Sequence, residues 1–253
     1  MASFKDHFSA TAGAYASYRP SYPPALFAWL ASQVPRHELA WDCATGNGQA
    51  ALPLARHFRR VLATDASAAQ LQSAVPASGV LYCQATAESP PLLGGSVDLI
   101  TVAQALHWFD QPRFFTAARR VLAPGGVIAI WTYGRLMLTE PILDQGFQTF
   151  YDQIVGPYWP PERVQVEAGY RDLTWPFADL AVPPLAMTAS WSLAQLLGYC
   201  GTWSAVQRYR AALGQDPLPW LAKALSPAWG EPTAPRLISW PLSVRVGRPP
   251  LAG

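Results

Sequence analysis

Between residues 39 and 134 the chain alternates short, almost unbroken apolar runs with segments of helical period, and few folds accommodate that rhythm. The runs are ELAWDCA, RRVLATD, GVLYCQA, SVDLITVA and GGVIAIWTY. A strand that is apolar at nearly every position is covered on both faces, the environment of a parallel sheet between helical layers. Helical segments are predicted at 48–58, 67–74 and 112–122. In the last, Phe114, Phe115, Ala118, Val121 and Leu122 approximate one stripe. Strand, helix and strand repeated in this way give an α/β, doubly wound parallel sheet with right-handed crossovers. Pro53 lies inside the first helical segment and predicts a kink there.

The texture changes after about residue 134. Seven of the eleven tryptophans lie beyond residue 150, and prolines punctuate GPYWPPERV, LTWPFADLAVPP and QDPLPW. Helices are expected at about 141–155, 192–200, 203–213 and 217–225. PRLISWPLSVRVG reads as one returning strand. The predicted organisation is therefore an arm over 1–23, an α/β core over 24–134, an α-rich aromatic cap over 135–230 and a strand rejoining the core sheet within 231–253. A chain of 253 residues suits one large domain with such an elaboration.

Charged residues make up only 13% of the chain and the net charge is +2, which argues against a broad phosphate-neutralising face and so against nucleic acid as a partner. The pairs Arg59-Arg60 and Arg119-Arg120 read as solvated helix ends. Cys43, Cys83 and Cys200 are odd in number and far apart, with neither metal-ligand spacing nor a disulfide framework. His7, His37 and His57 show no ligand spacing either, and no metal is expected. The start, MASFKDHFSA, lacks a long apolar core, and no run approaches the ~20 apolar residues that span a bilayer. The expectation is a soluble protein of a reducing compartment, the cytoplasm, with no membrane partner. Oligomeric state is not legible.

The stretch LAWDCATGNGQAALPLARHF carries the candidate ligand site. Parallel sheets bind ligands beyond the carboxyl ends of their strands. Gly46 and Gly48 permit a sharp turn and close backbone approach, and the turn amides favour polar or anionic groups. Asp65 closes the second strand, where a carboxylate can accept both hydroxyls of a ribose. Gly46-Asn-Gly48-Gln-Ala-Ala51 also fits G-x-G-x-x-A, so a nicotinamide-dependent oxidoreductase stays open on the glycines alone. Asp42 favours a different ligand. A carboxylate at the end of the first strand would crowd a pyrophosphate but suits a ligand with an ammonium group.

The D-x-A-x-G-x-G turn, Asp65, Ala87-Glu88, the fourth strand and the PGG turn together resemble a class I S-adenosylmethionine-dependent methyltransferase. YASYRPSYP, SVDLITVAQALHWFD and GYCGTWSAVQRYR extend the resemblance over nearly the whole chain, towards the methyltransferase type 11 group and trans-aconitate methyltransferase-like proteins. The resemblance implies a seven-stranded, mostly parallel Rossmann-like sheet and S-adenosyl-L-methionine as cofactor. It also implies a small-molecule acceptor, a carboxylic acid among the candidates. It assigns Asp42 to the cofactor's amino-acid end, Ala44, Gly46 and Gly48 to the turn, and Asp65 to the ribose. Ala66 would flank the adenine, Ala87 and Glu88 would address its edge, and Gln104 would present backbone under the methionine. Tyr15 and Arg19 would fold over the site, Arg19 as a carboxylate clamp. Ala44 departs from the family's usual glycine; an ordinary φ and a weaker backbone approach are expected of it.

His107 and Trp108 follow the fourth strand, where the family's acceptor pocket opens. His107 is a candidate base or acceptor-orienting group, because an imidazole is largely neutral at physiological pH. Trp131, Tyr133, Tyr151, Tyr158, Trp159, Trp203 and Arg208 are candidates for the pocket wall. A carboxylate acceptor, with a pKa near 4, would need no base, only positioning and an arginine. A protein that keeps this fold without catalysis, binding partners through its aromatic cap, is the third reading.

Overall fold

The computed structural model describes residues 20–250. Tyr15 and Arg19 lie outside the described residues. From Pro24 the chain runs helix α1 (Pro24–Ser32), β1 (Leu39–Cys43), α2 (Ala51–Leu54), β2 (Arg60–Asp65), α3 (Ala68–Gln72), β3 (Val80–Gln84) and β4 (Val97–Ala103). Helix α4 (Gln111–Val121) and strand β5 (Leu122–Tyr133) complete the alternating half. The main sheet has seven strands in the order β3-β2-β1-β4-β5-β10-β7. β1 to β5 pair in parallel, while β10 (Leu242–Arg248) and β7 (Ala178–Asp179) close the edge antiparallel.

The apolar runs form strands because both faces of the sheet are covered. On β5, Val127, Ala129 and Trp131 enter one core together with Leu26, Phe27 and Leu30 of α1. Ile128 and Ile130 enter the other with Phe114, Ala118 and Val121 of α4. Successive side chains on a strand point to opposite faces, so uninterrupted hydrophobicity serves both layers. Among the buried polar residues of the strands is Asp98, 2% exposed on β4. Its carboxylate accepts from Arg36 Nη2 (2.8 Å) and from the backbone N–H groups of Glu38 (2.8 Å) and Leu39 (3.1 Å), locking the entry of β1 onto β4.

Two expectations change on folding. The helix at 48–58 is regular only over Ala51–Leu54, and Pro53 stands in its first turn, where the missing N–H costs little. Helical bonds on either side, Leu52 N–H to Gly48 (3.1 Å) and Phe58 N–H to Leu54 (3.0 Å), extend it as looser turns. PRLISWPLSVRVG is two strands, not one. Pro241 lies between β9 (Arg236–Trp240) and β10, and they enter different sheets.

Beyond β5 lie β6 (Met137–Leu138), α5 (Pro141–Thr149), α6 (Arg163–Glu167), β8 (Met187–Trp191), α7 (Leu193–Gly201), α8 (Ser204–Leu213) and α9 (Leu218–Trp229). The cap is thus helical, with an antiparallel three-stranded sheet β6-β9-β8 added. Helix α5 widens at its end into a π-turn, Phe150–Ile154, closed by Val155 N–H to Phe150 C=O at 3.0 Å. Trp203 centres the cap, its ring 5.4 Å from that of Trp159, 5.5 Å from Tyr199 and 5.6 Å from Tyr151.

Candidate active site

A cleft of about 240 Å³ opens beyond the carboxyl ends of β1 to β4. Of the predicted residues, Asp42, Ala44, Gly46, Asp65, Ala66, Ala87 and Gln104 line it. The turn after β1 is held by Thr45 N–H to Thr64 C=O (2.9 Å) and by Gly46 N–H to Asp65 Oδ2 (2.9 Å). Asp65 Oδ1 accepts from Ser67 N–H at 2.8 Å. Each Asp65 oxygen takes one of these backbone bonds. The carboxylate is therefore rigidly aimed on the cleft wall.

Asp42 is 1% exposed. Thr45 Oγ1 donates to its Oδ2 (2.5 Å) and Thr101 Oγ1 to its Oδ1 (2.7 Å). Burial outweighs these bonds and raises its pKa to about 6. A buried carboxylate at the cleft wall with no cationic partner among the described residues is the complement of an ammonium group.

The structure corrects three assignments. Ala44 has φ +55°, in the left-handed region, so the ordinary φ expected of it is not found. Gly48 does not line the cleft. It has φ +90°, and a Cβ there would lie 2.3 Å from Tyr82 Oη; the neighbouring side chain and the turn require this glycine, not the ligand. Glu88 also points elsewhere: its Oε1 accepts from Asp110 N–H at 3.0 Å and helps hold the β4–α4 connection. Thr86 and Ala85 take part in the cleft wall instead, beside Ala87. The sequence reading also passed over Tyr22, which enters the cleft from the amino-terminal side and packs edge-on against Trp131 at 5.4 Å.

A second chamber, about 90 Å³, abuts the cleft and shares Gln104, Trp108 and Tyr133 with it. His107, Trp159 and Trp203 line it, so all five residues assigned to the acceptor pocket come together. The other candidates do not. Trp131 is wholly in the core, Tyr158 packs on Tyr209 at 5.1 Å, and Arg208 is exposed. Tyr151 stands behind the wall and positions a residue that no motif announced, Arg163.

Among the described residues Arg163 is the only ionised side chain on the chamber wall. Its Nε donates to Tyr151 Oη (3.1 Å) and lies 3.6 Å from Glu167 Oε1. Its guanidinium stacks 4.8 Å from the Trp159 ring. Tyr151 in turn donates to Glu167, and burial raises the phenol pKa to about 12. Tyr151 lies within the π-turn, a local widening frequent at functional sites. His107 Nδ1 lies 2.8 Å from Tyr170 Oη, and burial followed by Arg163 lowers the imidazole pKa to about 4. The imidazole is therefore neutral at physiological pH.

All three non-glycine residues with positive φ among the described residues, Ala44, Gln104 and Tyr170, lie at the cleft or directly behind the chamber. Backbone strain concentrates at functional sites when the surroundings over-determine it.

Comparison with known proteins agrees with this geometry. Residues 41–130 match the family model described as a methyltransferase domain. A candidate methyltransferase of Dictyostelium discoideum is 33% identical over 229 residues, covering 89% of this chain and 87% of that protein. The solved structure of a candidate type II methyltransferase from Anaeromyxobacter dehalogenans superimposes with a TM-score of 0.86 at 45% identity, covering 92% of this chain and 98% of that one. The chain belongs to the class I S-adenosylmethionine-dependent methyltransferases. In this methyltransferase the residues of the cleft fit the family's cofactor. Asp65 presents a backbone-anchored carboxylate where a diol would sit, Asp42 offers a buried carboxylate to an ammonium, and Gly46 leaves open space where a Cβ would meet only Gln70 Oε1 at 3.7 Å.

Proposed function

We propose that the enzyme transfers the methyl group of S-adenosyl-L-methionine to a small organic acceptor that carries a carboxylate. The observation behind this reading is the compact aromatic chamber, continuous with the cofactor cleft across Gln104, Trp108 and Tyr133, with the preset guanidinium of Arg163 on its wall. When bound, the cofactor supplies an electrophilic methyl carbon on a positively charged sulfur.

The chain's own residues do the rest. Asp65 holds the ribose, Asp42 the ammonium, and the turn from Ala44 to Gly46 approaches the amino-acid end. Arg163 has its Nε committed to Tyr151 and Glu167, so its outer edge is left to grip a carboxylate with two parallel bonds. The tryptophans exclude water, which strengthens that grip and holds the acceptor in line.

Calorimetric titration tests the cofactor half. S-adenosylmethionine and its demethylated product should bind, and tight binding of NADH with neither of these would hand the cleft to the oxidoreductase reading. For the acceptor half, Arg163→Met should raise KM for an acidic acceptor about 10²-fold with a smaller effect on kcat. Arg163→Lys should recover little, because an ammonium cannot reproduce the fork. Equal KM values in the three proteins would remove the carboxylate from the proposal.

A further inference from the structure

Arg135 follows the end of β5, two residues after Tyr133, the ring shared by cleft and chamber. Its stem is anchored to the sheet by Gly134 N–H to Pro241 C=O at 3.0 Å. Its guanidinium is fixed in two ways. Nη2 donates to Asp152 Oδ1 (2.7 Å) and Nη1 to Asp152 Oδ2 (2.9 Å), a two-pronged grip on one carboxylate, and Nη1 also donates to Gln148 Oε1 (2.9 Å). The same cation lies over the Tyr151 ring, 4.0 Å from its centroid. Gln148, Tyr151 and Asp152 all belong to the end of α5 and its π-turn. An arginine rooted beside the core sheet thus clasps the stretch of cap that carries Tyr151. Exposed single ion pairs contribute little. This pair differs, because its fork is bidentate and its cation covers a ring that is 2% exposed.

Helix α6 rests on the Tyr151 phenol. Arg163 Nε can only donate and the Glu167 carboxylate accepts, so Tyr151 Oη accepts from the first at 3.1 Å and donates to the second. Arg163 and Glu167 are the first and last residues of α6. A helix of five residues has too few internal bonds to hold itself in place. One phenol oxygen therefore ties both of its ends to the body of the cap. A shift of that oxygen moves the guanidinium on the chamber wall.

We propose that Arg135 is a positioning residue for acceptor binding: stacked on Tyr151 and forked onto Asp152, it fixes the phenol and so gives Arg163 a single orientation toward the acceptor. Arg135 does not line the chamber, and its charge is offset by Asp152, so it acts through geometry and not by adding field to the chamber. Its effect on an acidic acceptor rests on the function proposed above. Its effect on Arg163 does not.

The first readout needs no acceptor: ¹H–¹⁵N spectra of arginine-labelled full-length protein, with Arg163→Met assigning the Nε–H of Arg163. That hydrogen, held on the phenol, should exchange slowly with water, and Arg135→Met should speed its exchange roughly tenfold. An unchanged rate would overturn the proposal. The second readout is kinetic. Arg135→Met should raise KM for an acidic acceptor about tenfold, with kcat and cofactor affinity within about twofold of wild type. A parallel loss of cofactor affinity would mark general damage and count against the proposal. Arg135→Lys keeps a cation for the ring but not the fork, so its KM should fall between the two. In a Tyr151→Phe chain, Arg135→Met should raise KM little further, because the link through the phenol is already cut; additive effects would overturn it. Should Arg135→Met fail to fold, Asp152→Asn loosens the same fork and should speed the Arg163 exchange by a smaller factor, and no change there overturns the proposal equally. If Arg163→Met leaves KM unaltered for every acid, the carboxylate reading fails, and the exchange rate alone then decides the role of Arg135.

Discussion

Asp42 is where stability and ligand binding pull apart. Its folded pKa, about 6, lies above the ordinary 3.8, so the folded state binds the extra proton. The stability this contributes is fully present below the unfolded pKa and is lost as pH rises through about 6. At neutral pH the buried charge therefore costs on the order of 1–3 kcal/mol. Asp42→Asn should stabilise the apo protein by about 1–2 kcal/mol in urea unfolding at neutral pH, with the gain shrinking towards pH 4. A less stable variant would refute this account of the burial. The same carboxylate should make S-adenosylmethionine bind more weakly as pH falls through about 6. That dependence should vanish in Asp42→Asn and persist in His107→Gln. His107 has the opposite sign: its folded pKa of about 4 is below 6.5, so its contribution is present above 6.5 and lost as pH falls towards 4. Ala44 offers a simpler test. At φ +55° an alanine carries strain of roughly 1 kcal/mol, so Ala44→Gly should be stabilising by up to that amount in thermal unfolding. The sequence showed which residue stood at the turn but not its φ, because that dihedral is imposed by the bonds of Thr45 and Gly46 to β2.

At the scale of elements, the turns after β1 to β4 build the cleft and the π-turn with α6 builds the chamber. Gly48→Ala tests how the turn after β1 packs against β3. Its φ of +90° disfavours any side chain, and the new Cβ would press on the Tyr82 hydroxyl from β3. A loss of about 1–3 kcal/mol is expected in urea unfolding, with Tyr82→Phe in the same chain recovering only the steric part. Full recovery would mean that the φ carries no strain. The five parallel strands were legible because each is largely apolar; β1, β2, β4 and β5 are covered on both faces, whereas β3 at the sheet edge leaves Leu81 exposed. The short strands β6 and β8 were not legible. They pair with β9, about a hundred and about fifty residues further on, and too few residues contribute to each to leave a period. The division of the last strand pair at Pro241 was visible in principle, since a proline interrupts the apolar run.

For the whole molecule, cleft and chamber share residues, so cofactor binding should stabilise core and cap together. At a hundredfold excess over Kd the demethylated product should add about 2.7 kcal/mol, a rise in Tm of roughly 5–10 °C in a single transition. Two separated transitions, only one of them shifting, would show that the cap does not share in the site. What the sequence by itself determined was the parallel core, the cleft beyond β1 to β4 and the family, because local hydrophobic pattern and the turn after β1 specify them within a few residues of each other. The tertiary structure alone decided the chamber's chemistry. Arg163 gains its role from Tyr151, Glu167 and Trp159, and His107 gains its Nδ1 partner in Tyr170, 63 residues away. Such partners leave no local signal, because what joins them is the packing of the cap against β5 and not any spacing along the chain.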